Sequence, residues 1–187
     1  MTCRPSPHWL TALSVALVGL VLDLGSKSLI FYVLGEPPQS EPVEVIPGFF
    51  YLTTSYNRGA LWGLGHSFRF AAYFFGVISV LAAIAILWWL LCRGEHLSRW
   101  PAISLGLILA GALGNGFDRF VHGHVRDFID VKLIVYDWPV FNLADTFLCI
   151  GAAMLAIYAL LWAEETPEPQ ENRSTGTQRT PGALRNP

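Results

Sequence analysis

Four apolar segments, residues 9–34, 70–91, 100–117 and 140–162, leave this chain little choice of fold. At a rise of about 1.5 Å per residue each spans most or all of a hydrocarbon layer roughly 30 Å thick. Within lipid the backbone must satisfy its own hydrogen bonds, so such segments become helices. Composition agrees: 53% of the residues are hydrophobic and 14% charged, against roughly 45–50% and 25% in soluble domains. The expectation is an all-α membrane protein of four transmembrane helices with a small extramembrane β unit. A net charge of -2 provides no basic surface for phosphates, so nucleic acid is not an expected partner.

Residues 1–22 imitate a secretory leader, with Arg4 ahead of an apolar run. No small-x-small cleavage site precedes Asp23 and Lys27, which favours an uncleaved first span. Asp23 and Lys27 stand four apart with the acid first, the favourable orientation for an ion pair on one helix face. Spacing alone leaves open whether that pair is structural or part of a site.

Between the first two spans, prolines at 37, 38, 42 and 47 break helix, and the VEV and FFYLTTSY stretches carry the β-branched and aromatic residues of short strands. Residues 35–69 are therefore the β unit, ending in the turn-like NRGALWG from Asn57 to Gly63. The third span carries Gly106, Ala110 and Gly114 at intervals of four, a stripe that admits a close neighbour. The fourth is expected to start near Val140, with Pro139 in its first turn. Cys3, Cys92 and Cys149 lack metal-ligand spacing and read as buried or tail thiols. The domain reading is an N-terminal segment, 1–8, a membrane domain, 9–163, and a polar, aperiodic tail, 164–187, of the kind that stays disordered.

Four spans put both termini on one side and residues 35–69 and 118–139 together on the other. Arg4, Arg93 and Arg99 on the first side face Arg58, Arg69, Arg119, Arg126 and Lys132 on the second, so counting positive charges does not orient the chain.

Chemistry concentrates in residues 111–146. Asn115, Asp118 and Arg119 share a helix face at the polar end of the third span; Asn142 and Asp145 repeat the three-residue spacing at the start of the fourth. Asp127 lies between them. Ionisable groups at membrane helix ends are costly and mark function. Two carboxyl groups sharing a proton can hydrolyse an amide or ester: one activates water and the other protonates the leaving group. A Ser or Cys nucleophile needs a histidine base at its own depth, yet of histidines 8, 66, 96, 122 and 124 only His122 and His124 lie nearby. His-Gly-His without a fixed third ligand is a weak metal signal. Asp130 and Asp137 read as solvated loop carboxylates. Two other classes use the same residues: an ion carrier with Asp23, Lys27, Asp118 and Asp145 as way-stations, disfavoured because the four spans show no internal repeat, and an assembly scaffold.

The ordered motifs NRGALWG, GALGNGFDR, GHVRDFID and WPVFNLADTF, preceded by Asp23, closely resemble the lipoprotein signal peptidases, or signal peptidase II, of bacteria. The resemblance covers residues 9–163. It implies a four-helix aspartic endopeptidase of the bacterial inner membrane, with its site near the periplasmic face and the β unit on that side. Such an enzyme removes the signal peptide of a prolipoprotein before a diacylglyceryl-modified cysteine, acts on a substrate held in membrane lipid, works as a monomer and uses no metal or other cofactor. Matching motif to motif transfers the catalytic roles to Asp127 and Asp145, and supporting or substrate-binding roles to Asp23, Asn57, Asn115, Asp118, Arg119, Asn142 and Ala144. The chain departs from the family's pattern at Gly116-Phe117, at Trp62, and at Arg126, where the family has an apolar residue. Beside Asp127, Arg126 is expected to favour the ionised carboxylate and lower its pKa.

Overall fold

The structure, a computed structural model, describes residues 7–59, 70–92, 97–133 and 136–162. The N-terminal segment through residue 6, most of NRGALWG and the tail from residue 163 lie outside the described residues. Four helices are long and apolar enough to cross a membrane: α1 (Trp9–Leu34), α2 (Ala71–Cys92), α3 (Arg99–Val121) and α4 (Leu143–Trp162). The central helix is α3. Of its spanning window 67% is buried inside the protein, against 22%, 17% and 11% for α1, α2 and α4, and it touches all three.

Small residues make that position possible. A methyl group at Gly106 would stand 2.6 Å from the Ala12 carbonyl of α1, and one at Gly19 would meet Ala110 at 2.7 Å. On the other side, α4 presents Gly151 to the Ser104 carbonyl of α3 at a notional 2.7 Å. Without a hydrophobic driving force between helices in lipid, such backbone proximity and its dispersion contacts hold the bundle together. The outward faces of α1, α2 and α4 expose Leu17, Leu29, Phe74, Leu81, Leu160 and similar residues, as lipid requires.

The β unit extends beyond its expected limits. Strands β1 (Val43–Ile46), β2 (Phe50–Asn57), β3 (Val125–Leu133) and β4 (Tyr136–Asp137) form an antiparallel sheet in that order. Half of it comes from the connection between α3 and α4, where only a loop is expected from sequence. Register pairs Ser55 with Asp127 and Asn57 with Val125, so these four side chains project from one face of the sheet. Tyr56 pairs with Arg126 on the other.

Three further expectations need correction. The third helix runs on to Val121, so Asp118 and Arg119 lie inside it. The fourth starts at Leu143 rather than near Val140, and Pro139 stands outside it. There Asn142 and Asp145 exchange bonds: Asp145 N donates to Asn142 Oδ1 at 3.0 Å, and Asn142 N donates to Asp145 Oδ2 at 3.3 Å. That reciprocal cap, together with the Phe141 bridge to Ile129 that extends the chain just before it, determines where the helix begins. Finally, Asp130 is no solvated loop group; it lies on β3, 8% exposed, with Lys132 Nζ 3.3 Å from its Oδ1.

Candidate active site

The polar residues gather where the ends of α1, α3 and α4 meet the sheet. Asp23 and Lys27, one turn apart on α1, are both fully buried and paired at 2.8 Å. Lys27 Nζ also donates to Asn115 Oδ1 at 3.1 Å and lies 3.4 Å from Asp118 Oδ2. Its three N–H groups thus face three acceptors on two helices. The other oxygen of Asp23 accepts the backbone N–H of Ala144 at 2.9 Å, so α1 helps cap α4. Ala144 itself has no exposed surface; Asp23 uses its main chain.

Asn115 and Asn142 link this charged cluster to the two candidate acids. Asn115 Nδ2 donates to Asp145 Oδ1 at 2.7 Å, while Asn142 Nδ2 donates to Asp127 Oδ1 at 2.6 Å and to Asn115 Oδ1 at 3.2 Å. A side-chain hydrogen bond from Asn57 adds a second contact to Asp127. Asp127 is 2% exposed. Burial, and then the like charge of Asp145, push its carboxyl from an ordinary 3.8 up to about 7, against the stabilising amides of Asn142 and Asn57. Arg126 does not oppose this shift. Its side chain leaves the other face of β3 and closes on Asp118, so the expected lowering of the Asp127 pKa is replaced by a rise.

All nine site residues singled out in the sequence fall in this one region. Beside the acids opens a cavity of about 340 Å³. Asn57, Asn115, Arg119 and Asp145 line its polar part; Trp138, Phe141, Cys149 and Ile150 belong to its apolar part. Asp127 lies behind this lining. The Arg119 guanidinium donates long bonds to the Asn115 and Gly59 carbonyls, at 3.4 and 3.3 Å, and its buried Nε has no partner among the described residues. Sequence reasoning missed the apolar wall, including Cys149, which is exposed rather than buried. Its signal was present in the spacing, because Cys149 follows Asp145 by four residues and shares its helix face.

His124 packs against Tyr56 with ring centroids 3.8 Å apart and planes tilted by 44°, on the face of the sheet away from Asp127. Burial and the neighbouring His122 hold its imidazole below the usual histidine range. Among the described residues no group of three or more His, Cys, Asp or Glu is placed to hold a metal.

Gly114 tests how tightly the cluster is built. A methyl group there would run into Asp23 Oδ2, which is bonded to Lys27 and has no room to withdraw. Gly114→Ala is expected to destabilise the protein by about 1–3 kcal/mol, as overpacked cores do. Thermal unfolding in detergent checks it, and an unchanged midpoint would mean the cluster is loose.

Fold and site together define a four-span membrane protein with two neighbouring acids, Asp127 buried and Asp145 half-buried, at the junction of its helices and sheet. A family model described as signal peptidase (SPase) II matches residues 15–161. Proteins called lipoprotein signal peptidase from Microcystis aeruginosa and Ralstonia nicotianae are 39% and 40% identical over 143 and 148 residues, spanning 76% and 78% of this chain and 87% and 81% of their own. A bacterial membrane enzyme solved by the in meso method at 2.3 Å resolution superimposes with a TM-score of 0.74 at 29% identity, covering 91% of this chain and 99% of that one. The chain belongs to the signal peptidase II family.

Proposed function

We propose that this protein removes signal peptides from prolipoproteins, hydrolysing the bond before a diacylglyceryl-modified cysteine with Asp127 and Asp145 as a carboxyl dyad. The observation that carries the reading is the pair itself. Burial and the like charge of Asp145 push the Asp127 carboxyl up to about 7, so close to neutral pH Asp127 is poised between its acid and carboxylate forms beside a second carboxyl group. One carboxylate takes a proton from water as it attacks the scissile carbonyl, and the other returns one to the leaving amine. The base and acid roles belong to the coupled pair.

The remaining residues hold that pair in place. Asn115 and Asn142 each donate to one acid and are bonded to each other, which holds both carboxyl groups in place, with Asp145 on the cavity lining. Arg119 and Asn57 line the polar part of the cavity, where a cation and an amide suit the carbonyl groups of a peptide. Asp23, Asp118 and Ala144 act through Lys27 and the α4 cap. The substrate class is supported by the relatives, which carry the name lipoprotein signal peptidase. It is also supported by the cavity, whose polar end suits an extended peptide and whose apolar end, running down α4 to Ile150, suits acyl chains that stay in the bilayer.

The same reading gives a single-chain domain over residues 9–163 in the bacterial inner membrane, with the acid pair near the periplasmic face and the termini in the cytoplasm. The test is cleavage of a defined prolipoprotein by the purified protein in detergent with a chelator present. The diacylated form should be cut and the unlipidated form left intact; equal cleavage of both would remove the lipid from the proposal.

A further inference from the structure

Arg126 is the residue beside Asp127 that the proposed chemistry leaves unused. Its Nε and Nη2 both donate to Asp118 Oδ1, at 3.2 and 2.8 Å, and its backbone N–H donates to Asp118 Oδ2 at 3.0 Å. Asp118 is fully buried, and its other cationic neighbour is Lys27. Lys27 in turn serves Asp23 and Asn115, and Asn115 holds Asp145. The buried cluster therefore balances two anions, Asp23 and Asp118, with two cations, Lys27 and Arg126. Take away Arg126 and Lys27 becomes the one cation between two carboxylates, drawn toward Asp118 and away from Asn115.

We propose that Arg126 is a positioning residue: by closing on Asp118 it leaves Lys27 to hold Asn115, and through Asn115 it holds the carboxylate of Asp145 in place. The inference rests on the reading of Asp127 and Asp145 as the dyad. The route is electrostatic as well as geometric, since a neutral residue at 126 leaves the cluster one negative charge in excess close to the dyad. Nearby negative charge favours protonated carboxyls, so the activity profile moves to higher pH. The groups that share this environment are Asp23 and Lys27 on α1, Tyr56 and Arg58 at the end of β2, Asp118, Arg119 and His122 at the end of α3, His124 and Asp127 at the head of β3, and Asp145 on α4. All are present in wild type and in both Arg126 variants below, so the change at 126 is what their comparison reads.

The experiment measures kcat and KM for a diacylated prolipoprotein across pH 5–9 with wild type, Arg126→Met and Arg126→Lys, and with Asp127→Asn as control. Methionine keeps the backbone bond to Asp118, so β3 should hold its place. Arg126→Met is expected to lose about 10–100-fold in kcat with KM little changed, and to show a profile displaced to higher pH. Arg126→Lys, which keeps the charge, should retain the wild-type pH position and recover much of kcat. Arg126→Met with wild-type kcat and profile overturns the proposal, as does equal loss in both variants with no displacement, which describes a merely structural side chain. Should Arg126→Met fail to accumulate, a displaced profile in Arg126→Lys overturns it and an undisplaced one supports it. Cleavage by Asp127→Asn would instead sink the dyad reading beneath it.

Discussion

At pH 8, Asp127→Asn is expected to unfold at a higher temperature than the wild-type protein while having lost cleavage by about 10³-fold or more. Both halves follow from one fact. Folding raises the Asp127 carboxyl from 3.8 to about 7, so the folded state binds its proton more tightly than the unfolded state. Stability therefore falls as pH rises between those values: the penalty is absent below about 4 and complete above about 7. The separation corresponds to on the order of 4 kcal/mol. An amide keeps the shape and, through its oxygen, the bond from Asn142 without the buried charge, so the gain should be largest at pH 8, shrink through pH 7 and fade toward pH 4. Thermal unfolding of both proteins across that range decides it. A variant less stable than wild type at pH 8 would mean that the charge of Asp127 is well accommodated and the acid is not poised.

The second large effect concerns Lys27. Lys27→Met takes from Asp23 its ion-pair partner and leaves Asp118 paired with Arg126, and removing one partner of a buried pair costs about 3–5 kcal/mol. Asp23→Asn alone leaves Lys27 and Arg126 against one carboxylate. The double variant restores neutrality, with Asp118 and Arg126 still paired, and the amide oxygen at position 23 can still accept the Ala144 N–H. It is expected to be more stable than Lys27→Met, with a departure from additivity of about 1–3 kcal/mol. Measuring unfolding of the four proteins at pH 7 closes the cycle. Additive losses would show that the 2.8 Å contact carries no coupling.

Much of this is legible in the sequence, and the reasons differ by element. The helices announce themselves because lipid demands length and apolarity, and α1 coincides with its expected limits of 9 and 34. The start of α4 was misplaced because Pro139 is a common first-turn residue, whereas the stronger determinant is the reciprocal Asn142 and Asp145 cap, the very residues that also build the site. Strand β3 was hidden. VRDFIDVKL alternates apolar and polar only from Ile129 to Leu133, because Asp127 and Phe128 reverse the pattern ahead of it, and Asp127 is accounted for by Asn142 and Asn57, which lie on other elements. Adjacency in sequence likewise suggests that Arg126 is the electrostatic neighbour of Asp127, whereas the pleat sends the two side chains apart. The Asp23 and Lys27 pair was visible in its spacing, but its reach to Asn115, Asp118 and Ala144 requires three elements to meet.

The assignment of the acids is tested most directly by mass analysis of the products when wild type, Asp127→Asn, Asp145→Asn and Asp130→Asn are each incubated with the same diacylated prolipoprotein. Wild type and Asp130→Asn should release a lipoprotein whose first residue is the lipidated cysteine, and the two dyad variants should release none while remaining folded. The double variant should be little worse than either single one, because the pair acts as a unit. Near-normal product from Asp127→Asn together with none from Asp130→Asn would contradict the account, and the carboxylate on β3 that does the chemistry would have to be reassigned.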